Sequence, residues 1–117
     1  MLNVMSGKQA LSYFFSNGNN DHAACTYAFR REFLTDIGAK YREGILFEDA
    51  PFNIYASLCA KRTYNLSTPL YLRRVHLNSI VSSTKTFKHL RSYILDCKDL
   101  ITYICKKCNM NTEQSLC

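Results

Sequence analysis

Apolar residues recur along the chain with helical spacing at both ends and as short runs in the middle, and the change of pattern marks out the elements. Ser6-Gly7-Lys8-Gln9 has the Ser-x-x-Gln form of a capping box. Ala10, Leu11, Phe14 and Phe15 follow at helical spacing, which predicts a short helix from about 7 to 15. The stretch SNGNNDH, 16–22, is all turn-formers and polar residues and reads as an exposed loop. Between Cys25 and Ile37, the positions Tyr27, Phe29, Phe33, Leu34 and Ile37 suit a short extended piece running into a helix that stops at Gly38, a residue suited to a left-handed cap.

After a turn at Glu43-Gly44, the run Ile45-Leu46-Phe47 predicts a short strand that delivers Glu48 and Asp49 to the head of the next helix. Pro51 in its first turn, then Phe52, Tyr55, Leu58 and Cys59 on one side and Lys61-Arg62 at the end, define that helix. Residues 63–66 and 70–75 read as two β-rich strands around Ser67-Thr68-Pro69, the second leading Arg73, Arg74 and His76 into a Ser-rich loop. From about 87 to 108, Leu90, Tyr93, Ile94, Cys97, Leu100, Ile101, Ile104 and Cys105 trace an amphipathic helix. Residues 109–117 read as a frayed polar tail, so residues 1–108 form one domain.

Composition narrows the picture. A chain of 117 residues with 47% apolar content supports one compact domain. The net charge of +6 is spread over short doublets with no dominant basic run, which weakens a nucleic-acid reading and leaves phosphate-bearing ligands open. No apolar run approaches a membrane span, and the start lacks a basic region followed by an apolar stretch, which points to a soluble, cytoplasmic chain. The six cysteines read as reduced packing thiols. Cys105 and Cys108 form one C-x-x-C, but Cys97 and Cys117 supply no second pair for zinc, and a redox pair belongs at a helix start rather than its end.

Two adjacent acids before a helix N-terminus can hold one carboxylate ionised, which makes Asp49 the candidate base; capping and dipole compensation explain the same pair without chemistry. The ordered set YAFRREFLTDIGAKYREGILFEDAPF and ASLCAKRTYNLSTPLYLRRVHLNSI resembles the family 2 glycosyltransferases. Its most specific points are Glu48-Asp49 with Phe52 and the Tyr71 to Ser79 segment of the form Tyr-x-Arg-x-His-x-x-Ser. The resemblance implies an α/β fold, namely the C-terminal half of a GT-A type domain, mostly helical with a few short strands.

It also implies an inverting reaction, in which an acceptor hydroxyl attacks a nucleotide-sugar to build a polysaccharide or glycoconjugate at the inner face of the membrane. Asp49 matches the base, Glu48 shapes the acceptor site, and Arg73, Arg74, His76 and Ser79 are the substrate-binding candidates, at most one of the two arginines facing a cleft. The complete enzyme would use Mg or Mn. This chain contains no Asp-x-Asp and no nucleotide-binding βαβ units, so the metal and donor belong to a missing N-terminal half and no cofactor is expected for the chain alone. The alternative is a non-enzymatic basic module that binds nucleic acid or another anionic partner.

Overall fold

The computed structural model describes residues 4–19, 22–74, 79 and 84–114, with side chains as far as 107 in the last helix. Four α-helices carry the fold: α1 (Gly7–Ser16), α2 (Arg31–Asp36), α3 (Asp49–Cys59) and α4 (Phe87–Gln114), with a 3-10 turn at Ala24–Thr26. The capping box is present. Ser6 Oγ accepts from the Gln9 amide at 3.3 Å, while Gln9 Oε1 accepts from the Ser6 amide at 3.0 Å. Gly38 ends α2 at φ 64, a conformation that favours glycine.

α3 is the centre of the molecule. Pro51, Phe52, Asn53, Tyr55, Ala56 and Ser57 are all buried, a run that covers more than one face and fits a helix packed on two sides. α1 lies on one side, with Ala10 and Leu11 buried, and α4 on the other. The α1 contact is close because position 7 carries no side chain. A Cβ there would sit 1.7 Å from the Ser57 carbonyl oxygen and 3.2 Å from Ala60 Cβ. The Gly7 amide donates to Ala60 O at 2.9 Å.

The expected α/β architecture is not found. Among the described residues the only β pairing is one antiparallel bridge, in which Met5 and Thr63 exchange hydrogen bonds of 3.1 and 2.7 Å. Residues 64–66 and 70–74 have no strand neighbour among the described residues, and Leu66, Leu70 and Leu72 lie exposed. β-rich composition makes a strand only where a neighbouring strand takes up its backbone groups, and no sheet is available here. Ile45 to Phe47 form a bent segment rather than a strand, and Phe47 takes φ 66. α3 begins at Asp49, so Glu48 is its N-cap and Asp49 its first residue, and it ends at Cys59, before Lys61-Arg62.

α4 runs through the segment read as a frayed tail, to Gln114. Its buried face is polar: His89, Ser92 and Asp96 are inside, while Leu90, Tyr93, Ile94, Ile101 and Ile104 of the apolar stripe are exposed. The inner face is held by specific bonds rather than by apolar bulk. Ser92 Oγ accepts from the Leu46 amide and donates to Lys88 O, both at 2.9 Å. Arg42 grips Asp99 with Nε to Oδ2 at 2.6 Å and a second bond from Nη2 to Oδ1. Tyr55 and Tyr103 stack with centroids 4.2 Å apart.

Gly7→Ala should destabilise the protein by at least about 2–3 kcal/mol, because the added methyl meets fixed backbone rather than a movable side chain. Lys8→Ala, on the exposed side of the same turn, should change stability by no more than about 0.5 kcal/mol. Urea unfolding followed by circular dichroism measures both, and equal effects would contradict the close contact.

Candidate functional site

The acid pair sits where the backbone is most constrained. Phe47 has a left-handed backbone, an unusual state for a bulky residue that costs about 1–3 kcal/mol and persists only where packing enforces it. The enforcement is visible: the ring stacks on Tyr93 at 5.2 Å with planes 10° apart and lies 6.1 Å from His89, and the Leu46 amide is held by Ser92. The turn delivers Glu48 and Asp49, both half-buried, to the start of α3, where the positive end of the helix dipole favours negative charge.

Asp49 is neither in mid-helix nor sealed under α4. Its Oδ2 accepts from the Ala24 amide at 3.1 Å, a bond that ties the 3-10 turn to the head of α3. One turn further on, the Asn53 side chain donates to His22 O at 2.7 Å and anchors the same loop from below. Tyr41 lies over this region, stacked on Phe52 at 4.0 Å. Burial pushes its phenol above the usual range, with the charges of Asp49 and Glu48 adding to the effect.

Asp96 reaches the cluster from α4. It is 7% exposed, and its Oδ1 is buried with no hydrogen-bond partner among the described residues. Burial, then the charges of Asp99, Glu48 and Asp49, push its carboxyl up to about 6, against a smaller opposing effect of Arg42. Its neighbour Asp99 moves the other way, held down by the hydrogen bonds from Arg42. Neither Tyr41 nor Asp96 was singled out from sequence. The available signal was the polar face of α4, where Asp96 stands opposite the apolar stripe.

Of the other candidates, Arg73 and Arg74 are exposed, outside any helix or strand, and Ser79 is half-buried; His76 lies outside the described residues. The segment 70–74 is drawn toward the acids at Tyr71, whose hydroxyl is raised first by its hydrogen bond with the Cys25 thiol, next to Ala24. A concavity of about 1270 Å³ is lined by His22, Thr26 and Tyr27 of the 22–27 loop, and neither Glu48 nor Asp49 lines it. Asp49 therefore does not open onto this concavity.

Among the described residues no three His, Cys, Asp or Glu side chains come together as metal ligands, so the divalent cation implied for a complete transferase has no seat there and no step is derived through it. Cys25, Cys59, Cys97 and Cys105 are free thiols; Cys117 and the Cys108 side chain lie outside the description. No helix among the described residues is long and apolar enough to cross a membrane. No family model, curated protein or solved structure matches the chain.

The Asp96 carboxyl gives a prediction whose sign follows from proton linkage. Its folded value of about 6 lies above the ordinary 3.8, so the native state binds the proton more tightly than the unfolded chain does. The contribution is complete below the ordinary value and is lost as pH rises through about 6. Asp96→Asn should therefore stabilise the protein at neutral pH by about 1–2 kcal/mol, with the gain vanishing toward pH ~4. Urea midpoints across that range test it, and a pH-independent effect would contradict the assignment.

Proposed function

We propose that the chain supplies the acceptor-activating part of an inverting sugar transferase, with Asp49 as general base and Glu48 shaping the acceptor site. The observation that carries this reading is the fixing of the Asp49 carboxylate: one oxygen is taken by the Ala24 amide, and the residue stands at the head of α3 beside Glu48, behind a strained Phe47. A general base must be held in place, and the amide donated by Ala24 does this for Asp49. The ordered motifs from Tyr27 to Ser79 support the choice of chemistry.

In the proposed reaction, Asp49 removes the proton from an acceptor hydroxyl as its oxygen bonds to the anomeric carbon of a nucleotide-sugar. The carbon–oxygen bond to the diphosphate breaks, and the electron pair leaves with the diphosphate. Arg73, Arg74, His76 and Ser79 are the groups proposed to meet that charge. Donor binding falls to a nucleotide-binding half outside these residues, since a base contributes only about 10²- to 10⁴-fold once both substrates are positioned. The reading requires no sheet within this chain.

A second reading, a basic module without chemistry, draws on the concavity, which is bordered by Arg30, Lys61, Arg62 and Lys107 against the single acid Asp36. Salt-dependent binding of generic DNA would favour it.

The isolated chain should not turn over any nucleotide-sugar, with or without manganese. Supplied with a nucleotide-binding half, it should gain activity that Asp49→Asn lowers by about 10²- to 10⁴-fold. Steady-state transfer assays on both preparations decide the matter. Turnover by the isolated chain would refute the half-enzyme reading, and restored activity indifferent to Asp49→Asn would reject the base.

A further inference from the structure

The concavity bordered by α1, α2 and the end of α3 combines an apolar lining with cations that the chain itself leaves unanswered. Leu11 and Phe14 of α1, Phe29, Phe33 and Ile37 around α2, and Tyr55 of α3 supply the apolar surface. That lining is held in shape by its own contacts. Phe29 stacks on Tyr27 and Phe33 at 5.7 and 6.4 Å and meets Phe52 edge-on at 6.2 Å, while the Tyr55 hydroxyl donates to the Ile37 carbonyl at 3.0 Å.

Arg30, Lys61, Arg62 and Lys107 border the same space, and Asp36 is the one acid on its described lining. None of the four cations pairs with a carboxylate among the described residues, where the one salt bridge joins Arg42 to Asp99. Three of them gather at the C-terminal end of α3. α4 runs beside α3 in the same direction, with Ser92 bonded to Leu46 ahead of α3 and Tyr103 stacked on Tyr55 further along. Lys107, one turn past Tyr103, therefore reaches the end of α3 that leads into Lys61 and Arg62. It is half-buried, and a half-buried lysine with no carboxylate beside it gains from an anion that arrives.

We propose that this concavity binds a single amphipathic acid, one anionic head on an alkyl tail, with the head at Lys61, Arg62 and Lys107 and the tail along the apolar lining. Both halves of such a ligand are matched. The Arg62 guanidinium can take two oxygens of the head side by side, and the two ammonium groups add charge. Each tail methylene taken out of water against Phe14, Phe33 or Ile37 strengthens binding by up to about fourfold. An inorganic anion would use the cations and leave the apolar surface wet. A nucleic-acid chain asks for a track of cations along its phosphates, whereas here the cation cluster stands at the end of an apolar surface. The inference is independent of the sugar-transfer reading.

Isothermal titration calorimetry of the full chain with dodecanoate, kept below its micelle concentration, should show one site with a dissociation constant on the order of 10–100 μM. Octanoate, four methylenes shorter, should bind at least about tenfold more weakly. Dodecyl maltoside, with the same tail and no charge, should lose about as much. Lys61→Glu with Arg62→Glu should weaken dodecanoate at least about tenfold, whereas Lys8→Glu with Arg91→Glu, the same change of charge on exposed residues away from the concavity, should leave it within about twofold. All four positions are exposed, so far-ultraviolet circular dichroism should be unchanged in both double variants. No binding at about 1 mM, equal binding of octanoate or of the maltoside, or equal effects of the two double variants would overturn the proposal. Binding of a single-stranded oligonucleotide that needs Lys61 and Arg62 and that dodecanoate does not displace would also overturn it, by giving the concavity to nucleic acid.

Discussion

α1 reaches α3 at a point where only glycine fits, and much of the remaining structure is placed by that contact. With no Cβ on Gly7, the α1 backbone comes down on the Ser57 carbonyl and donates to Ala60. Ala10 and Leu11 are thereby buried against α3, and the residue before the cap, Met5, is set opposite Thr63 for their two hydrogen bonds. That bridge directs the chain after α3 along the concavity, so Lys61 and Arg62 line its wall instead of capping the helix. One missing methyl group thus positions an N-terminal helix, a β-bridge and a basic groove at once.

The opposite side of α3 is organised by polar contacts, and there the stored strain is concentrated. Phe47 is kept in a left-handed conformation by Tyr93, while the Ser92 hydroxyl holds the amide before it. In consequence the acid pair leaves the turn at the start of α3, where the Ala24 amide meets Asp49. The same face of α4 buries Asp96 near Glu48 and Asp49, and the carboxyl responds by holding its proton to about 6. Burying like charges together lowers stability. Perturbed carboxyls of this kind cluster at functional sites, and Asp96 stands near an Asp49 that the Ala24 amide holds in place.

Burying a polar face leaves the apolar seam of α4 outside, and the two faces are consequences of one choice. Arg42, the Leu46 amide and the Lys40 carbonyl bind Asp99, Ser92 and Tyr103, partners that a leucine seam cannot supply, so α4 turns those side chains inward. The bidentate Arg42–Asp99 pair fixes the helix rotation with respect to the 40–47 segment. The exposure of Ile94, Ile101 and Ile104 follows from that rotation.

Local signals were legible where the backbone's own chemistry decides: the Ser6–Gln9 box, the stop at Gly38, the acids at the head of α3 and the helicity of α4 all follow from side chains acting within a few residues. The sheet was misread for the opposite reason. Residues 63–66 and 70–74 have β composition, but a strand exists only with a neighbour, and among the described residues these find one bridge and no sheet. Periodicity identified the apolar face of α4 correctly but could not say whether it faced inward, since that depended on Arg42 and Leu46, about 50 residues away along the chain. The same long-range packing decided that Tyr41 and Asp96 would join the acid pair, because burial and the field of neighbouring charges exist only once the helices are assembled.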